Sequence, residues 1–297
     1  MKKFQLICLL VLTVNFCQSQ EWMTSLDAAQ RLAYVQDKLV FMLWEEATLD
    51  PYHVSVEYEK GVDAIVNLFE NEKLNELIWK YFVPVKVSES EYSEWYNQIK
   101  DKRYQNYIDK FNDDTIKIMD INGNIINTSL FYGDYLDIAK FISNYALNTS
   151  VLKGELNGYR KVKNFYSAFR LASKYMDVAV LVNRAIKHEI VDLSTIYLEE
   201  AEHYLIEGET DNFKTLKQKV DLLKLKQDLI LNNPKKVLRK LKRLDDSEIE
   251  EENESLIEFL YFTSYLLLKD EINAREWRSK LSLVNLTKAN LIFKNNL

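Results

Sequence analysis

The sequence predicts an α/β sandwich over its first half and an all-α array of helical hairpins over its second. Three observations carry this. Short apolar runs alternate with helical patterns as far as residue 147. Beyond Tyr159 every segment has helical periodicity. Six glycines and three prolines in 297 residues leave few turn positions, which disfavours turn-rich β architectures and Gly-rich phosphate loops.

The first twenty residues read as an export leader. Lys2 and Lys3 give the positive start, residues 6–14 form an apolar run interrupted only by Thr13, and Cys17 and Ser19 occupy the −3 and −1 positions of a cleavage after Ser19. The run is too short to span a bilayer, which takes about 20 apolar residues. Bulky Phe16 argues against a lipid on Cys17. A signal peptide is therefore expected at 1–19, directing the chain to the periplasm or the exterior with no transmembrane span in the mature form. Its removal takes away Cys8 and Cys17, the only two cysteines. That excludes disulfides, Cys-ligated zinc and a cysteine nucleophile in the mature chain. A formal net charge of −6 makes nucleic acid an unexpected partner, because phosphate binding needs clustered cations.

In the mature chain, Leu26, Ala29 and Ala33 share one face of a helix expected over 21–37, with Thr24 and Asp27 at capping-box spacing. Leu39-Val40-Phe41-Met42-Leu43-Trp44 is a six-residue apolar run, suited to a strand buried on both faces. A polar stretch, 45–51, follows. Residues 52–81 read as mostly helical, ending on an apolar face of Leu74, Leu77 and Ile78. Phe82-Val83-Pro84-Val85-Lys86-Val87 is the second strand, and 89–111 one or two aromatic-rich helices. Thr115-Ile116-Lys117-Ile118-Met119-Asp120 is the third strand. Asn122-Gly123-Asn124 closes a hairpin onto a partner strand at 125–130. A helix over 134–147 completes the half. The alternation implies parallel strands with an antiparallel hairpin at one edge.

Gly154 and Gly158 mark a boundary near 148–159, giving domains at 20–150 and 159–297. Helices are expected at 159–176, 177–188, 191–207, 211–232, 234–244, 254–269 and 271–282, with Asn233 and Pro234 as one helix start. Short links make neighbours antiparallel, and the pairs resemble divergent tetratricopeptide repeats.

The first half resembles the thioredoxin-like superfamily, in particular exported bacterial thioredoxin-related proteins. The carrying residues are Trp22, Lys38-Leu39-Val40-Phe41, the run from Glu72 through Ile78 into Phe82-Val83-Pro84-Val85-Lys86-Val87, the strand at 115–120, Asn122-Gly123-Asn124 and Gly133. The resemblance implies a Cys-x-x-Cys pair at the helix start after the first central strand, where a helix N-terminus lowers a thiol's pKa. Thr48, Leu49, Asp50 and Pro51 stand there instead. It also implies a cis-proline before the third strand, where this chain has Asp114. With both signatures absent, the implied thiol exchange is lost. The five positions become a degenerate site or binding rim.

Other candidates are weaker. Glu46, Asp50 and His53 cluster after the first strand, at the end of an α/β sheet where ligands bind, and would serve acid/base work. The plainer reading is a solvated helix entrance with Asp50 and Pro51 as cap and first turn. His188 and His203, in different expected helices, read as surface histidines. Tyr92, Trp95, Tyr96, Tyr104 and Tyr107 suit either a recognition groove or the core. Residues 234–243 hold six cations; a nucleic-acid patch is one reading, and the favoured one is a wet face near the acids of 245–254, with Val237, Leu238, Leu241 and Leu244 inward. No metal, cofactor or catalytic group is expected. The functional expectation is an exported, non-catalytic module that binds another exported or envelope protein or peptide. The alternatives are an enzyme using non-thiol groups at the same rim, or a redox accessory dependent on a partner's thiols.

Overall fold

The structure, a computed structural model, describes residues 21–58, 62–129, 133–208 and 211–296. The expected signal peptide and both cysteines lie outside the described residues. The chain is mixed α/β with two small sheets in its first half and helical thereafter. In order, the first half holds α1 (Leu26–Gln36), β1 (Leu39–Trp44), β2 (His53–Tyr58), β3 (Val62–Asn67), α2 (Glu72–Tyr81), β4 (Phe82–Val87), α3 (Tyr92–Ile99), α4 (Gln105–Asn112), β5 (Lys117–Met119), β6 (Leu136–Asp137) and α5 (Ile138–Tyr145). The second half holds α6 (Lys153–Lys161), α7 (Phe165–Leu181), α8 (Lys187–Glu207), α9 (Phe213–Ile230), α10 (Pro234–Leu241), α11 (Glu254–Leu267), α12 (Glu271–Arg278) and α13 (Leu283–Lys294).

The first sheet runs β4-β1-β5, with β4 parallel and β5 antiparallel to β1. Every side chain of β1 is buried, as a continuous apolar run requires when both faces of a strand are covered. Successive side chains leave on opposite faces. Phe41 packs with Trp22, Phe82 and Phe141 of α5. Trp44, of the other parity, packs with Tyr92 and Trp95 of α3 and Phe111 of α4. Helices therefore cover both faces. Met23 extends the sheet beyond β4 through a parallel bridge to Val85. Among the described residues no helix is long and apolar enough to cross a membrane.

Within the stretch expected to be helical, His53–Tyr58 and Val62–Asn67 are instead strands. β2 pairs antiparallel with β3 from His53↔Asn67 to Tyr58↔Val62, and β6 joins the other side of β2 in parallel. Period-two alternation across His53-Val54-Ser55-Val56, with Val54 fully buried, outweighed the helical spacing read over the longer window. Among the described residues there, only 72–81 is helix, capped by Asn71, whose side chain accepts from the Leu74 amide. Asp50 and Pro51 consequently cap no helix; they follow a 3-10 turn, Glu46–Thr48, and lead into β2.

The expected partner strand at 125–130 reduces to a bridge between Ile125 and Met119, and Leu130 lies outside the described residues. The Asn127 side chain does the pairing instead. Its Oδ1 accepts from the Ile118 amide at 2.7 Å and its Nδ2 donates to the Ile116 carbonyl at 2.8 Å. Gly123 sits at φ +85° in the expected turn, a conformation that favours glycine. The helix expected from 134 begins at Ile138, after β6 and an Asp137 cap. Ser25, not Thr24, caps α1.

Gly154 and Gly158 lie within α6 rather than in a linker. α7 and α8 are the central helical pair. Small residues, Ala168, Ala172, Ala179 and Ala201, are fully buried there, and Ser194 donates to the Ala172 carbonyl at 2.7 Å. One buried apolar cluster runs through both halves. Their polar joint is Asp120, fully buried at the end of β5. Its Oδ1 accepts from the Asn122 and Asn124 amides at 2.9 and 3.0 Å, and its Oδ2 from the hydroxyls of Tyr175 on α7 and Tyr197 on α8. Burial raises this carboxyl's pKa, against the pull of Tyr197, the two amides and Tyr175. Glu189 on α8 makes a second joint, accepting from the Ser129 amide at 2.9 Å and the Tyr145 hydroxyl at 2.6 Å.

Candidate functional site

A groove of about 710 Å³ opens where the 51–53 segment comes alongside the start of β5. Its walls include Tyr52, His53, Thr115, Ile116, Tyr135 and Tyr145. Three elements supply them: the entry to β2, the loop between α4 and β5, and the β6–α5 corner. β6 is held against β2 by the Val54↔Leu136 and Ser55↔Asp137 pairs, which brings Tyr135 beside His53, their rings 6.3 Å apart. Tyr135 is 48% exposed. A large aromatic left half in water at a groove mouth is available for contact.

Beneath the groove, two lysines converge on one carboxylate. Lys117 Nζ lies 3.2 Å from Asp113 Oδ1 and donates to the Thr115 carbonyl at 2.9 Å and to the Asp113 carbonyl. Lys110 Nζ lies 3.3 Å from Asp113 Oδ2 and also donates to Thr115 Oγ1. Thr115 in turn donates its hydroxyl to Asp113 at 2.8 Å. Burial, reinforced by the like charge of Lys110 and opposed by Asp113, pulls Lys117 down to about 8. Burial also lowers Lys110, with Asp113 opposing. Burial alone would raise Asp113, but Lys110, Lys117 and the Thr115 hydrogen bonds outweigh it and hold the carboxyl below its ordinary value. The Lys117 side chain has no exposed surface, so its amine is a fixed internal charge rather than a presented nucleophile. The cluster shapes the loop that carries the Asp114 position and forms one wall of the groove.

The residues expected at the rim are divided by the structure. Pro51 and His53 line the groove. Thr48 closes the 3-10 turn by donating to the Glu45 carbonyl at 2.8 Å, Leu49 is 78% exposed, and Asp50 and Asp114 are exposed. Glu46 gives its amide to Glu89 at 2.8 Å. No hydrogen bond or ion pair joins Glu46, Asp50 and His53 among the described residues, and no group of three His, Cys, Asp or Glu there could hold a metal ion. His188 and His203 both lie on α8, not on two helices, and face Asp192 and Glu207 one turn along.

Lys110, Asp113, Lys117 and Tyr135 were not singled out by the sequence. Lys117 follows the alternation of an outward-facing strand position, and nothing local shows that α4 and the following loop cover that face. Most of the aromatic run belongs to the packing around Trp44, whose indole donates to the Phe111 carbonyl at 2.9 Å.

A second concavity of about 880 Å³ lies between the α1 start, the 122–124 turn and α8, with Trp95, Arg103, Glu199 and Tyr204 among its walls. Arg103 reaches Asn124 at 3.2 Å and Glu200 at 3.4 Å, while its Nε is buried and unpaired. Cations and acids both line it, so it has no single-sign character. No protein-family model, curated protein or solved structure matches the chain.

Proposed function

We propose that the chain is an exported, catalytically silent protein of thioredoxin-like layout that binds an extended segment of another exported or envelope protein. One observation carries this reading: Pro51, the last of the four positions the resemblance sets in place of the cysteine motif, and Thr115, next to the Asp114 position, wall a single groove with no cysteine in its lining. The β4-β1-β5 order, with one parallel and one antiparallel neighbour of β1, supports the layout. In place of the active-site helix directly after β1, the chain has the 3-10 turn Glu46–Thr48 and then β2. The groove pairs aromatic faces with peptide-sized room, the composition of a recognition surface. The export leader read in the sequence at 1–19 supports export.

Peptides selected on the purified protein from a random display library test the reading. Their affinity should fall about tenfold or more when His53 and Tyr135 are both replaced by Ser, as expected for central aromatic contacts. Selected peptides that bind the double variant equally well would contradict it, as would a selection that returns no binder.

A further inference from the structure

We propose that the outer face of α10 is a docking surface for an anionic phospholipid bilayer. This does not rest on the groove reading. Residues 234–243 carry Lys235, Lys236, Arg239, Lys240, Lys242 and Arg243, and all six are exposed. The apolar side of the helix, Val237, Leu238 and Leu241, is buried. At 3.6 residues per turn the cations fall into two rows, 235-239-242 and 236-240-243. Each row extends over about 10 Å at 1.5 Å per residue.

Two of the acids that follow are engaged elsewhere. Glu250 pairs with Lys214 on α9 at 2.8 Å and accepts from Thr215. Asp245 accepts from Ser247. The neighbouring lysines of α9 are all engaged, Lys214 by Glu250, Lys217 by Glu202 and Asp221, and Lys224 by Glu202. On α10 only Lys236 has an ion pair among the described residues, with Asp228 at 2.7 Å. Asp270 is a further acid in the field of Lys242, and its carboxylate accepts from Asn273.

Charge and shape select the occupant. A concentrated cationic face on a chain of net charge −6 orients the molecule toward a negative surface. The cations lie on one helix and the two residues after it, so a planar anionic surface can meet them through a single element. A flexible polyanion that wraps would meet the acidic remainder. Leu244, 37% exposed at the end of the cation run, and the partly exposed Leu267 and Leu268 near its start add apolar contact at the boundary of headgroups and chains. Each lysine or arginine at an anionic membrane surface strengthens binding, and salt weakens it.

The test is co-sedimentation of the full chain with vesicles of phosphatidylcholine alone and of phosphatidylcholine mixed with phosphatidylglycerol. The readout is the difference between the two compositions, so charge-independent adsorption cancels. Binding should require phosphatidylglycerol, decline with added salt, and fall about tenfold or more in the variant Lys235→Glu, Arg239→Glu, Lys242→Glu. A control with the same change in net charge, at exposed Lys73, Lys100 and Lys161, should keep it. Far-UV circular dichroism verifies that both variants are folded. Equal binding to the two compositions, equal loss in both variants, or binding to soluble heparin without binding to the mixed vesicles would each overturn the proposal.

Discussion

Lys117 places an ammonium where its side chain has no exposed surface, and the fold tolerates it through Asp113 and two carbonyls. The arrangement leaves a signature in the pH dependence of stability. With the folded-state pKa near 8, below the ordinary 10.5, the folded chain binds fewer protons than the unfolded chain between those values. Stability therefore rises as pH climbs through that window. Asp113, held below its ordinary value, works in the opposite range. Its contribution is present above the unfolded aspartate pKa and is lost as pH falls through the lower folded value. Replacing Lys117 by Met should leave stability within about 1 kcal/mol of the parent or raise it, since an apolar residue of similar length removes a desolvation cost. The alkaline rise should shrink. Replacing Asp113 by Ala should cost about 2 kcal/mol, less than a fully buried pair because that side chain is 36% exposed. Urea titrations of the three proteins across the alkaline range decide the matter, and an undiminished rise in Lys117→Met would contradict the assignment.

At the scale of elements, the first half was legible where composition and period agreed. β1 is a uniform apolar run and β4 is apolar apart from Lys86, and the structure places both at the expected residues. α2 was found through Leu74 and Ile78, both buried. The β2–β3 pairing was missed because its alternation is short and the sequence between the two strands has no Asn-Gly of the kind at 122–124. The partner of β5 was overestimated for another reason. A side chain, Asn127, completes the ladder that a second strand was expected to supply, and no local pattern distinguishes a pairing amide from a turn amide. The substitution Asn127→Ala should leave the Ile118 N–H and Ile116 carbonyl buried without partners. A cost of about 3 kcal/mol follows for two buried hydrogen bonds. A urea midpoint unchanged from the parent would show that the backbone finds another partner. The groove was half legible: the resemblance pointed to 48–51 and 114, while Tyr135 arrives only through the β2–β6 pairing, a contact across about eighty residues.

For the whole molecule, the two halves share buried apolar surface and the Asp120 and Glu189 joints, so they should unfold together. Four of the five tryptophans lie in the first half, and Trp277 alone lies on α12. In a Trp277→Phe variant, fluorescence reports the α/β half while far-UV circular dichroism follows mainly the helices. The two curves should coincide in urea; separate midpoints would show halves that fold independently. The account stands on the groove as the place where an extended segment binds. The most direct measurement is photo-crosslinking with a selected peptide carrying a photoreactive residue at its centre, followed by mass-spectrometric mapping of the adducts. The account predicts adducts within residues 51–53, 115–116 and 133–145. Adducts confined to the cleft walled by Trp95 and Tyr204, or to α10, would contradict it.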